Sequence, residues 1–152
     1  MKGFLKVVNA NIPTDIIEYT DFKVKAVKFR QQFAKRQGLR DMYVEKYDCS
    51  QAMSTLQKKE YHHFFIMTDD KKVGCLELKA EPSAIDGQIV GVLTTIYMED
   101  GYRNYDLFKK VIYEIQEMYP MRIEAECWYE QPEAAYFKKF GFRNISARVT
   151  LT

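Results

Sequence analysis

Carboxylates that alternate along a strand lie on one face and can share the work of moving a proton. Glu124 and Glu126 alternate with Ile123, Ala125 and Cys127 within Met121–Trp128, so they share a face. Glu99 follows directly on a run rich in Val, Ile and Thr. Tyr97, Tyr129 and Tyr136 add phenols, which can donate a proton, although packing is the commoner use of such side chains. Other chemistries are poorly supplied. His62 and His63 are adjacent, so on a strand they face opposite ways and cannot act as a pair; they read as a surface pair at a strand start. Cys49, Cys75 and Cys127 are odd in number and far apart, which suggests neither a disulfide framework nor a zinc site. No His follows Cys127, which reads as a small core residue.

The elements that must hold these residues follow from periodicity. Phe4–Val8 reads as a strand, and Pro13 and Asp15 open a connection or short helix. From Asp21 the pattern is helical, with Phe22, Ala26, Phe29 and Phe33 on one stripe and Gly38 as its stop. Ser50–Lys59 reads as a second helix capped by Ser50. The period then drops to two. Phe64–Thr68 and Val73–Lys79 form a hairpin around Asp69-Asp70-Lys71, and Gln88–Met98 is a longer strand. Asn104–Tyr119 carries the strongest helical stripe, through Leu107, Phe108, Val111, Ile112 and Ile115, and Pro120 ends it. Met121–Trp128 is a strand, Pro132–Phe140 a helix closed by Gly141, and Phe142–Leu151 a last strand. The order β-α-α-β-β-β-α-β-α-β predicts a mixed α/β sheet in which the strands flanking the Asn104–Tyr119 helix run parallel.

Composition bounds the classes. With 152 residues the chain is of single-domain size, expected to span 1–152, and 47% hydrophobic against 29% charged residues argues against disorder. Apolar runs such as Phe64–Met67 fall far short of the roughly 20 residues that span a bilayer. The opening Met1–Lys6 lacks a signal-like apolar stretch, so no membrane partner and a cytoplasmic location are the expectation. A net charge of +2 disfavours nucleic acid. Lys23, Lys25, Lys28, Arg30, Lys35, Arg36 and Arg40 carry no acid among them from Phe22 to Arg40, but they are spread around the helix and read as a solvated face.

Two stretches carry a family likeness. Ile96-Tyr97-Met98-Glu99-Asp100-Gly101-Tyr102-Arg103-Asn104-Tyr105-Asp106-Leu107-Phe108 resembles the central strand, Tyr-Arg and diphosphate-binding turn of the GNAT superfamily, the acyl-coenzyme A N-acyltransferases. Ala134-Ala135-Tyr136-Phe137-Lys138-Lys139-Phe140-Gly141-Phe142 is similar to that family's closing helix with its Gly-Phe end. The resemblance implies a GNAT-like fold with acetyl-CoA in a V-shaped opening between the strand ending at Met98 and the strand ending at Trp128. The backbone of Ile96, Tyr97 and Met98 would hold the pantetheine arm. Arg103, Asn104, Tyr105, Asp106, Leu107 and Phe108 would form the diphosphate turn. A small-molecule or peptide amine would attack the thioester directly.

Such aminolysis needs a proton acceptor, because a lysine-like amine has a pKa near ~10.4. Glu126, nearer the opening than Glu124, is the first base candidate and Glu99 the second; Tyr136 is a candidate acid. Departures from the family pattern are specific. Asp106 and Phe108 stand where the family has glycines, Phe137 stands where it often has the Tyr that protonates the thiolate, and only a short segment follows Gly141. That short end leaves a sheet edge able to pair between subunits, so a homodimer is one expectation. Two functions follow: an acetyl-CoA-dependent N-acyltransferase, or a GNAT-fold binding or regulatory module that no longer takes acyl-CoA.

Overall fold

A computed structural model describes residues 3–36, 54–83, 85–125 and 132–143. Its elements run β1 (Leu5–Val7), α1 (Pro13–Arg36), β2 (Tyr61–Thr68), β3 (Lys71–Pro82), β4 (Ile89–Met98), α2 (Tyr105–Met118), β5 (Ile123–Ala125) and α3 (Pro132–Phe140). The five strands form one sheet in sequence order. β1 to β4 are successively antiparallel, and β4 and β5 are parallel across α2. The mixed sheet predicted from the sequence is therefore the one observed.

Helix α1 begins at Pro13, eight residues before the predicted start, and runs unbroken for 24 residues. The proline fits a first helical position, where its missing N–H costs nothing. Residues 54–57 form hydrogen-bonded turns where a helix was predicted, with Lys58 N–H donating to Thr55 O. Ser50, Gly38, Cys49, Cys127 and the last predicted strand beyond Arg143 lie outside the described residues. The β2–β3 hairpin turns on Asp69 and Asp70, both left-handed at φ 49° and 61°, as a tight two-residue hairpin requires. Gly141, at φ 120°, ends α3, and the N–H of Phe142 turns back to Phe137 O.

The sheet is covered on both faces. On one, α2 and α3 bury Leu107, Phe108, Val111, Ile112, Ile115 and Phe137 against Phe64, Ile66, Leu76, Leu78, Leu93 and Met98. On the other, Tyr19, Phe22 and Ala26 of α1 pack on Phe65, Cys75 and Tyr97. His62 and His63 do face opposite ways: His62 meets Tyr119, and His63 meets Tyr19. His63 is buried rather than on the surface.

Two carboxylates tie the periphery to this frame. Glu124 is buried and accepts from Ser83 Oγ at 2.6 Å, while Arg122 forks onto Asp86 with two 3.0 Å bonds, so the β3–β4 loop is anchored to β5. Glu114 of α2 accepts the N–H groups of Phe4 and Leu5 at 3.1 and 3.0 Å, which holds the edge strand β1. Glu114→Ala strands both donors and should lower unfolding stability by about 2 kcal/mol in urea titration.

Candidate active site

The site begins with an irregularity in β4. Glu77 of β3 pairs with Thr95, but Leu78 pairs with Leu93, so Thr94 is an extra residue in β4, a β-bulge. Among the described residues, pairing with β5 covers Gly91, Val92 and Leu93. Beyond the bulge, among the described residues, Ile96, Tyr97 and Met98 have a strand partner only on the β3 side. These are the residues on which the family resemblance would place a pantetheine arm.

Past Met98 the chain turns into α2. The Glu99 N–H is held by Val73 O at 2.8 Å, and the Tyr102 N–H by Glu99 O at 3.0 Å. Arg103 is nearly buried inside this turn. One of its nitrogens donates to Met98 O at 2.7 Å, another to Asp100, and the guanidinium lies 4.0 Å over the Phe29 ring of α1. It locks the end of the central strand to α1 and engages the Met98 carbonyl itself.

Asn104 caps α2. Its backbone is extended, and its side-chain oxygen accepts the Leu107 N–H at 2.8 Å. The Phe108 N–H is taken by Asn104 O. Phe108 is fully buried in a ring cluster with Tyr105, Tyr136, Phe137 and Phe140, and Leu107 is buried beside it. The N–H groups of Leu107 and Phe108 are thus taken by Asn104, and both side chains are buried. The N–H groups of Tyr105 and Asp106 have no partner among the described residues. The Asp106 carboxylate is exposed and swings along the helix to Lys110 at 3.0 Å rather than over the helix start. Lys139 and Lys109 sit 4.4 and 5.7 Å over the Tyr105 ring, and Lys71 donates to the Tyr102 hydroxyl. A cleft of about 130 Å³ lies beside Tyr102, Asn104, Asp106 and Lys110. A larger groove of about 430 Å³, lined by Phe4, Lys110, Tyr113 and Glu117, lies along the outside of α2, away from the β4 edge. The helix start therefore fits a diphosphate with two free donors, a positive end and nearby lysines, against one carboxylate.

Of the predicted acid and bases, only Tyr136 and Glu99 fall among the described residues, and they lie on different faces. Glu126, like Tyr129, lies outside the described residues. Glu99 points to the α1 face and pairs with Lys25 at 3.5 Å. Tyr136 belongs to the opposite face, its ring 6.0 Å from Tyr105 and 5.5 Å from Phe108. Tyr97 is buried against α1; burial first, with the Glu99 charge, pushes its phenol up, so it keeps its proton.

Sequence reasoning missed a buried polar network directly behind the bulge. Glu77, in the central strand, is 4% exposed. One carboxylate oxygen accepts from Lys23 Nζ at 2.7 Å and Thr55 Oγ1 at 2.6 Å, and the other from Thr94 Oγ1 at 2.7 Å. His63 Nδ1 lies 2.7 Å from the Tyr19 hydroxyl and 3.5 Å from Glu77, and Nε2 lies 3.1 Å from Thr55 O. A carbonyl only accepts, so Nε2 carries the proton and Nδ1 accepts from Tyr19. Burial pushes the His63 imidazole down, against the Thr55 carbonyl and Glu77, and leaves it neutral at pH 7. Burial alone pushes the Glu77 carboxyl up; the Lys23 charge and the bonds from Lys23, Thr55 and Thr94 outweigh it and hold the carboxyl below its usual range. Lys23 is thus a buried ion-pair partner, not part of a solvated face.

Among the described residues no group of His, Cys, Asp and Glu could hold a metal ion, and no helix is long and apolar enough to cross a membrane. No protein-family model matches the sequence, and no curated protein matches it significantly. Solved structures do match. A ribosomal-protein-alanine N-acetyltransferase from Brucella melitensis biovar Abortus 2308 is 15% identical, with a TM-score of 0.60 over 92% of this chain and 91% of its own. The aminoglycoside antibiotic 6′-N-acetyltransferase AAC(6′)-IG of Acinetobacter haemolyticus is 12% identical, with a TM-score of 0.65 over 95% and 92%. AAC(6′)-Iy, solved with the bisubstrate analogue CoA-S-monomethyl-acetylneamine, is 14% identical, with a TM-score of 0.64 over 92% and 90%. The mixed sheet and the helices on its two faces thus match the fold of GNAT acetyltransferases.

Proposed function

We propose that the protein is an N-acetyltransferase that moves an acetyl group from acetyl-CoA to a primary amine. The observation that carries this reading is the start of α2, where the Tyr105 and Asp106 N–H groups have no partner among the described residues, directly after the bulged strand β4. When bound, acetyl-CoA supplies the activated thioester carbonyl. The backbone of Ile96, Tyr97 and Met98 orients the arm, and the Tyr105 and Asp106 N–H groups bind diphosphate. Arg103, Asn104, Leu107 and Phe108 shape that turn from within. Glu126 accepts the amine's surplus proton, with Glu99 as the second candidate, and Tyr136 protonates the departing thiolate. The acceptor is a small-molecule or peptide amine. The reading treats residues 1–152 as a single cytoplasmic domain and allows a homodimer.

A second reading, a binding module without acyl-CoA, is favoured by one feature. Arg103 engages Met98 O, and Asn104 caps its own helix, so part of the track is filled by the chain itself. Calorimetric titration with acetyl-CoA separates the two. The acyltransferase reading expects micromolar binding, tightened about threefold to fivefold by Asp106→Gly, which removes a like charge at the helix start. No binding by either form supports the binding module.

A further inference from the structure

The bulge in β4 has an identifiable anchor. A bulged residue loses its place in the ladder, so something else must fix it. Thr94 has one hydroxyl proton, and its Oγ1 lies 2.7 Å from a Glu77 carboxylate oxygen and 3.3 Å from the Glu77 carbonyl. The carboxylate is the stronger acceptor, because it is charged. Glu77 is itself held from two other elements, by Lys23 of α1 and Thr55 of the turn before β2. We infer that Glu77 is a positioning residue for the β4 edge formed by Ile96, Tyr97 and Met98: through Thr94 it holds the bulge just before them. The meaning of that edge for acyl transfer rests on the function proposed above; the anchoring itself does not.

The test is amide hydrogen–deuterium exchange on the wild-type protein, Thr94→Val and Thr94→Ser. Valine keeps the shape and leaves the Lys23–Glu77 pair intact, while serine restores the hydroxyl. Losing a bond to a charged acceptor should speed exchange across residues 93–98 about tenfold or more in Thr94→Val. β2 and α2 should stay at the wild-type rate, and Thr94→Ser should match the wild type within about twofold. Unchanged exchange at 93–98, a uniform rise over the whole sheet, or loss of protection in Thr94→Ser would each overturn the inference. Acetyl-CoA affinity measured on the same proteins should fall about tenfold in Thr94→Val and recover in Thr94→Ser. If the wild-type protein binds no acetyl-CoA, the acyltransferase reading fails alone, and exchange still decides whether Glu77 anchors the bulge.

Discussion

Lys23→Met should cost about 3–5 kcal/mol of unfolding stability at pH 7, the toll of leaving one member of a buried ion pair alone. Glu77 keeps the Thr55 and Thr94 hydroxyls in this variant but loses its only cation among the described residues, inside a sheet covered on both faces. The pH dependence distinguishes this from a loss of packing. In the wild-type protein both perturbed groups bind protons more readily when unfolded. His63 is held below its ordinary 6.5 and Glu77 below its ordinary 4.5. Stability therefore rises with pH through both windows, so it falls as pH drops below about 6.5 and again below about 4.5. Without Lys23, burial acts on Glu77 with less opposition, its carboxyl moves up, and protonation relieves the folded state. The deficit of Lys23→Met relative to wild type should then be largest near neutrality and shrink toward about pH 5 in chemical denaturation. A deficit constant from pH 5 to 8 would point to lost packing instead.

The pair also shows where the sequence was legible. α2 and α3 were legible because each has one apolar face, and the hairpin and β4 because they are short apolar runs bounded by turns and buried on both faces. What escaped was polar residues on buried faces. Lys23 lies four residues after Tyr19 and three before Ala26, on the stripe that α1 buries, and Glu77 sits between Leu76 and Leu78 in the middle strand. A charge at such a position must find a partner from another element, and spacing alone does not say which. Thr94 gave no signal, since a bulge is a property of register between two strands. The diphosphate turn was half legible. Asn104 could be read as a cap, but the burial of Phe108 follows from α3 packing across it, a contact between distant segments. Asp106 turning to Lys110 follows ordinary i, i+4 helix pairing and was within reach.

Gly74→Ala should be about as damaging as any single change in the sheet, for a reason hydrophobic pattern does not reveal. An alanine Cβ at Gly74 would lie 1.9 Å from the Tyr97 carbonyl oxygen and 3.0 Å from Met98 Cα. Both are backbone of the central strand and cannot rotate aside. Gly74 pairs with Met98, so β3 and β4 must separate by about 1 Å at the β4 end that the proposed cosubstrate would use. Overpacking backbone against backbone belongs at the upper end of such costs, about 3 kcal/mol, visible as a fall in the urea midpoint. Gly91→Ala is the comparison. Its Cβ would meet only the side-chain ends of Leu78 and Ile123, at 3.1 and 3.2 Å, and these can shift for about 1 kcal/mol. If the Ile96–Met98 edge binds acetyl-CoA, Gly74→Ala should lose affinity beyond what its unfolded fraction explains, whereas Gly91→Ala, on the β5-paired side of the bulge, should keep it. Equal loss of affinity in both variants would place the binding edge elsewhere. A Gly74→Ala protein as stable as wild type would mean that the β3–β4 approach at Tyr97 is looser than described.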